Sequence, residues 1–76
     1  MNPINKYSLF ELSKLINHKV RFTSDCEFFP NFDVICKIKK VHMKGNEILF
    51  EVNTIKNNKY LTIGSNMKNL QFELLS

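Results

Sequence analysis

Glycine, proline and cysteine are scarce in this sequence of 76 residues, which contains two of each and no tryptophan. So few glycines and prolines exclude a low-complexity or collagen-like chain. Two cysteines are too few for a disulfide framework or a zinc site, and the spacing of Cys26 and Cys36 matches no ligand pattern. We therefore expect one globular domain that holds no metal and no cofactor.

Long apolar runs are also missing. No segment approaches the roughly 20 apolar residues that a membrane-spanning helix needs. The N-terminal MNPINKYS lacks the basic-then-apolar order of a signal peptide. These features predict a cytoplasmic protein without a membrane segment. Hydrophobic residues nevertheless make up 43% of the chain, with seven phenylalanines, which suffices for one small core.

Residues 32–44, FDVICKIKKVHMK, form the segment around which we expect the fold to be organised. Apolar side chains alternate with polar ones in its first half, at Phe32, Val34, Cys36 and Ile38. This period of two is typical of a half-buried strand. The alternation changes phase across Lys39-Lys40, because the next apolar residues are Val41 and Met43. One extra residue in a strand has this effect, so the pattern predicts a long strand bent at a β-bulge.

A short helix is predicted before this strand. Ser8 and Glu11 have the spacing of a capping box, and Asn17 suits the left-handed position that ends a helix. These signals place the helix at 8–17. They leave 1–7 as a flexible arm and 8–76 as a single domain.

Four more strands are predicted from period-two apolar patterns and from the turn residues between them. Their expected ranges are 19–23, 47–54, 59–63 and 69–75. In the last strand the residues expected to face the core are Leu70, Phe72 and Leu74.

A helix followed by five short strands, the second of them bent, resembles the plan of small SH3-like and Sm-like barrels. The resemblance covers most of the chain and rests on element order, since Ile63-Gly64-Ser65-Asn66 stands where Sm proteins carry a glycine-aspartate signature. It implies a mostly β fold with one N-terminal helix, in which five strongly bent antiparallel strands form a small β-barrel. The Sm-like plan also implies that edge strands can pair between copies, giving a homo-oligomer.

No constellation of catalytic residues is evident. The two histidines, His18 and His42, have no serine or cysteine near them in a nucleophile setting. The carboxylates Asp25, Glu27 and Asp33 do not have the spacing of a calcium loop. We therefore predict that the protein is not an enzyme.

The first candidate binding site is the loop formed by Glu27, Phe28, Phe29, Pro30 and Asn31. Adjacent side chains of an extended segment face opposite ways, so at least one of its phenylalanines is hard to bury. Aromatic anchors dominate the energy of many interfaces. The loop predicts a non-enzymatic module that contacts a protein partner, for example a phage or mobile-element protein that inhibits a host factor. The alternative is that one of these rings closes an open end of the barrel.

A basic surface is the second candidate. Bases gathered on neighbouring strands attract phosphates, and an outward aromatic ring can stack on a nucleotide base. This alternative function is binding of DNA or RNA through a lysine patch. The same lysines can instead pair with Glu47 and Glu51 as an ordinary solvated surface. The predicted nucleic-acid site, with His42 beside it, comprises Lys19, Arg21, Lys37, Lys39, Lys40, Lys44 and Tyr60.

Overall fold

The computed structural model describes residues 1–25 and 31–76. Within them lie one short helix and six antiparallel strands, so the mostly β fold with an N-terminal helix is confirmed. The elements are β1 (Asn2–Pro3), α1 (Leu9–Ser13), β2 (Lys19–Ser24), β3 (Phe32–Lys44), β4 (Glu47–Thr54), β5 (Tyr60–Gly64) and β6 (Gln71–Leu74). One 3₁₀ turn, Ile4–Lys6, lies between β1 and α1. No helix in the described ranges is long and apolar enough to cross a membrane.

All six strands belong to one sheet, in the order β1-β6-β2-β3-β4-β5. Strands β2 to β5 follow one another as hairpins, and β6 returns to pair with β2. The two edges are β1 and β5, which do not pair with each other. The sheet formed by the described residues is therefore open, and the predicted closure into a barrel is not confirmed.

The predicted bulge lies in β3 at Lys39. Ile38 is opposite Val52 on β4, whereas Lys40 is opposite Glu51, so Lys39 has no partner in the ladder. A bulge bends a strand and increases its twist. The bend allows the first half of β3 to pair with β2, while most of the length of β3 pairs with β4. Folding the two halves over one another brings the rings of Phe22 on β2 and Phe50 on β4 to 5.0 Å.

The core lies on the concave side of the bent sheet and beneath α1. Most of the predicted inward residues are confirmed, because the side chains alternate as the sequence indicates. Among the described residues, those with no exposed surface are Leu12, Val20, Phe22, Cys36, Ile38, Phe50 and Val52. Leu74 lies on the core-facing side of β6 as predicted, opposite the buried Val20 on β2, but its side chain is 51% exposed. It lies beyond the end of β1, which pairs with β6 only at Phe72 and Gln71.

The capping box at the start of α1 is confirmed. The amide of Glu11 donates to Ser8 Oγ at 3.2 Å, and the amide of Ser8 donates to Glu11 Oε1 at 3.0 Å. The regular helix ends at Ser13, earlier than predicted, and successive turns carry the chain to Asn17. Asn17 has the expected left-handed conformation, with φ 71°.

The first residues, expected as a flexible arm, pack against the fold. Asn2 and Pro3 pair with β6. The side chain of Ile4 is only 2% exposed, and its amide donates to the carbonyl of Leu70 at 3.1 Å. Burial of Ile4 and this pairing hold the segment, and neither is visible in the local pattern of residues 1–7.

Candidate functional site

The predicted protein-binding loop falls almost entirely outside the described residues. Glu27, Phe28, Phe29 and Pro30 lie there, as does Cys26. Asn31 is described; it is exposed and adopts a left-handed conformation with φ 67°. The role of this loop therefore stays a prediction.

Apart from the bulged Lys39, the predicted basic residues lie on the outer face of the sheet, which is the face opposite the core. Residues directly opposite one another on neighbouring strands share a face. Lys19 is opposite Lys37, Lys37 is opposite Asn53, and Asn53 is opposite Tyr60. Two lysines and one tyrosine thus lie in a single row across four strands.

Acidic neighbours divide the predicted basic patch into two parts. Lys40 is opposite Glu51 and Lys44 is opposite Glu47, so these two lysines face carboxylates across the ladder. Lys19 and Lys37 instead face each other. Neither of them faces a carboxylate in the described ladder, so the Lys19 end of the patch is the more electropositive part.

Arg21 on β2 forms an ion pair with Asp33 on β3. Its Nε and Nη2 donate to the two carboxylate oxygens of Asp33, at 2.8 and 2.6 Å. These hydrogen bonds, together with the charge of Arg21, lower the pKa of the Asp33 carboxyl and raise the pKa of the guanidinium. The pair neutralises one base and one acid of this face.

Tyr60 presents an exposed ring whose hydroxyl is anchored. Its Oη donates to Glu51, whose other carboxylate oxygen lies 2.8 Å from His42 Nε2. The hydrogen bond from Tyr60 is the main cause that lowers the pKa of Glu51, and the same bond raises the pKa of Tyr60. The tyrosine side chain is held in place while the residue stays 60% exposed.

An apolar groove, which the sequence analysis does not identify, lies beside this row. Two isoleucines form its apolar part: Ile35 is 42% exposed and Ile55 is 50% exposed. They are neighbours, because the amide of Ile55 donates to the carbonyl of Ile35 at 3.0 Å. We call this feature the Ile35–Ile55 groove. It encloses about 600 Å³ and is lined by Lys19, Asp33, Val34, Ile35, Thr54, Ile55, Lys56 and Asn57.

The turn after β4 builds one wall of the groove. Thr54 Oγ1 donates to Asn57 Oδ1 and accepts from the amide of Lys59 at 2.9 Å. The carbonyl of Thr54 accepts from the amide of Asn58, which has a left-handed φ of 52°. These bonds hold the turn, so Ile55 and Lys56 are presented by an ordered backbone.

A smaller recess of about 230 Å³ adjoins the groove. Thr54 and Ile55 line both cavities, so Ile55 lies on the border between them. Lys37 and Lys39 also line the recess. The two cavities around the exposed isoleucines are thus lined by four lysines, Lys19, Lys37, Lys39 and Lys56.

Within the described ranges, no three His, Cys, Asp or Glu side chains are grouped so that they could hold a metal ion. Burial raises the pKa of the Cys36 thiol to about 12, which leaves it protonated and a poor nucleophile. The predictions of no enzymatic activity and no cofactor stay predictions.

One sequence signal points to the groove. Ile35 is an apolar residue at an outward position of a strand that otherwise alternates, between Asp33 and Lys37. The position of Ile55 beside it depends on the pairing of β3 with β4, which the sequence pattern does not specify.

No protein-family model, no curated protein and no solved structure matches this chain.

Proposed function

We propose that this protein is a non-enzymatic binding module that acts through protein contact, and that the Ile35–Ile55 groove is its contact surface. The observation that carries the proposal is the pair of adjacent isoleucines, 42% and 50% exposed, at the apolar part of a groove. An inhibitory role towards a host factor and a cytoplasmic location, both expected from the sequence, stay predictions.

Exposed apolar side chains in a concavity favour association, because a partner that covers them removes apolar surface from water. The groove is largely formed in the free protein. Its floor belongs to β3, and its wall is the hydrogen-bonded turn at Thr54. A preformed surface loses less conformational entropy on binding, which supports recognition of a short partner segment.

Selection from a random peptide library tests the proposal before any natural partner is identified. Enriched peptides are synthesised and titrated into ¹⁵N-labelled protein, and amide shifts are recorded by NMR. We expect the largest shifts at Ile35, Ile55 and Lys56. The variant with Ile35→Ser and Ile55→Ser should lose binding.

Phe10→Ser is the matched control, because Phe10 is a large apolar residue that is 73% exposed on α1 and does not line the groove. This variant should bind the peptides as the wild type does. Peptides that shift only amides elsewhere, or that bind the double isoleucine variant equally well, would overturn the proposal.

A second candidate function is binding of single-stranded nucleic acid on the same outer face. The row from Lys19 through Lys37 to Tyr60 favours it, because it joins two lysines to an exposed ring. Lysines contact phosphates and the ring offers a stacking surface for a base. Only one such ring lies in the row, and the apolar groove has no role in this mode, so we place it second.

Fluorescence anisotropy with labelled 12-nucleotide DNA and RNA, measured over a range of salt concentrations, tests the second candidate. Binding should weaken with salt, and Lys37→Glu should reduce the salt slope by about one unit per lost phosphate contact. Tyr60→Ala should weaken binding without changing that slope. Absence of binding at low salt eliminates this function.

A further inference from the structure

The charges around the groove indicate what kind of partner it fits. We propose that the Ile35–Ile55 groove takes an extended acidic segment of a partner protein, with one apolar side chain against the isoleucines and a carboxylate on either side of it. This inference rests on the proposed function and adds the chemical class of the partner.

The rim of the groove is positively charged. Lys19 and Lys56 line it, and the single carboxylate among its lining residues, Asp33, is held by two hydrogen bonds from Arg21. The adjoining recess adds Lys37 and Lys39. Among the described residues, the contacts of basic side chains with carboxylates within 4.0 Å are Arg21–Asp33 and His42–Glu51, so neither cavity's lysines take part in one. A carboxylate that enters this region meets several uncompensated positive charges.

The direct opposition of Lys19 and Lys37 strengthens the case for an acidic partner. Two ammonium side chains on facing positions repel each other in the free protein. A carboxylate placed beside them is attracted by both ammonium groups, so it gains more than it would beside one isolated lysine. The partner should therefore carry at least one acid that reaches this row.

The geometry of an extended chain sets the spacing of these groups. Side chains at positions i−2, i and i+2 of an extended segment point the same way and are about 6.5 Å apart in succession. A cavity of about 600 Å³ admits a few side chains and excludes a large domain. The partner pattern that follows is acid-x-apolar-x-acid, in which the apolar residue is Leu, Ile or Phe.

Four synthetic nine-residue peptides test the inference. The first carries Asp-Ser-Leu-Ser-Asp between glycine-serine ends, the second has Asn for both Asp, the third has Lys for both Asp, and the fourth has Ser for Leu. Affinities are measured by NMR titration at about 50 mM salt, where the Debye length is still above 10 Å. We expect the aspartate peptide to bind about tenfold more tightly than the asparagine peptide, a difference of about 1.4 kcal/mol. The lysine and serine peptides should bind more weakly still.

Charge reversal in the protein provides the decisive comparison. The variant with Lys19→Glu and Lys56→Glu should prefer the lysine peptide over the aspartate peptide. The variant with Lys6→Glu and Lys68→Glu changes the net charge equally, but neither residue lines the groove or the recess. It should keep the preference of the wild type. Thermal unfolding of each variant verifies that it is folded.

The outcomes distinguish a failure of this inference from a failure of the proposed function. If library-selected peptides bind the groove but the asparagine and aspartate peptides bind equally well, the partner is not acidic and the inference fails alone. If no peptide shifts the amides of Ile35 and Ile55, the proposed function fails with it. If a 12-nucleotide single-stranded DNA competes for these amides and the peptides do not, the ligand is a nucleic acid.

Discussion

Arg21 holds Asp33 by a two-point ion pair that joins β2 to β3 across the outer face, with N···O distances of 2.8 and 2.6 Å. Both side chains are well exposed, at 40% and 45%, so salt screens the pair and its contribution to stability is small. Its larger effect is on the groove. Because Asp33 already pairs with Arg21, this carboxylate does not neutralise the lysines on the rim of the groove.

The pH dependence of stability should report on this pair. Arg21 lowers the pKa of Asp33 in the folded protein, so the pair stabilises the fold at pH values above the usual carboxyl pKa of about 4. That contribution is lost as the pH falls through the lowered, folded-state pKa. In urea denaturation between about pH 4 and pH 2, Asp33→Asn should lose stability less steeply than the wild type. Arg21→Gln should have the same effect, and an unchanged slope in either variant contradicts the prediction.

Ser8→Ala should lower the free energy of unfolding by about 1 kcal/mol, because it leaves the amide of Glu11 without its acceptor at the start of α1. Chemical denaturation measures the change. Ser76→Ala is the control, since the Ser76 side chain makes no hydrogen bond to the described residues and lies outside the helix. Equal stability of the two variants would show that the capping box does not support the fold.

Deleting Lys39 should destabilise the domain by about 2 kcal/mol or more, whereas Lys39→Ala should be nearly neutral. Without the bulged residue, Lys40 follows Ile38 directly, so the flanking side chains keep their faces and only the bend is lost. A straighter β3 moves the ring of Phe50 away from that of Phe22, which opens the core. Urea denaturation gives both values. A deletion variant as stable as the wild type would show that the bend does not hold the core together.

Ile35→Ala should change stability by less than about 0.5 kcal/mol, because surface substitutions rarely do more. Ile38→Ala, three residues further along the same strand, should cost about 3 kcal/mol, since Ile38 is fully buried. Thermal and urea denaturation of the two variants make the comparison. A large loss for Ile35→Ala would mean that this residue serves the fold, and its use as a binding contact would need another explanation.

Cys36 should resist alkylation in the folded protein. Its pKa is raised to about 12 and its side chain has no exposed surface, so both the thiolate population and access are low. With Cys26→Ser in the background, iodoacetamide labelling at about pH 8 should follow the rate of unfolding, because unfolding returns the thiol to its usual pKa. Labelling that is independent of added urea would show that the site opens locally.

Local patterns predicted the parts of this fold that local interactions determine. The capping box at Ser8 and the left-handed Asn17 depend on neighbours in sequence, and the bulge at Lys39 follows from a change of phase in one strand. The pairing of Asn2–Pro3 with β6 could not be predicted in this way, because a two-residue strand has no sequence pattern of its own.

Like the pairing of β1 with β6, the groove depends on residues that are distant in the sequence. Ile35 and Ile55 are brought together by the register of β3 against β4, and that register depends on where the bulge falls and on the length of the turn between the strands. The exposed Ile35 is visible as an exception in the sequence. Its apolar neighbour becomes known only when the strands are paired.

The pairing of β1 with β6 joins the two ends of the sequence, since Asn2 lies opposite Phe72. Such a contact closes almost the entire chain into a loop, and the entropy of that closure opposes it until the intervening hairpins have formed. Strands β2 to β5 pair only with sequence neighbours among themselves, so they can assemble first. Every lining residue of the groove lies in β2, β3 or the end of β4 and its turn. Fraying of β1 therefore leaves the residues that line the Ile35–Ile55 groove in place.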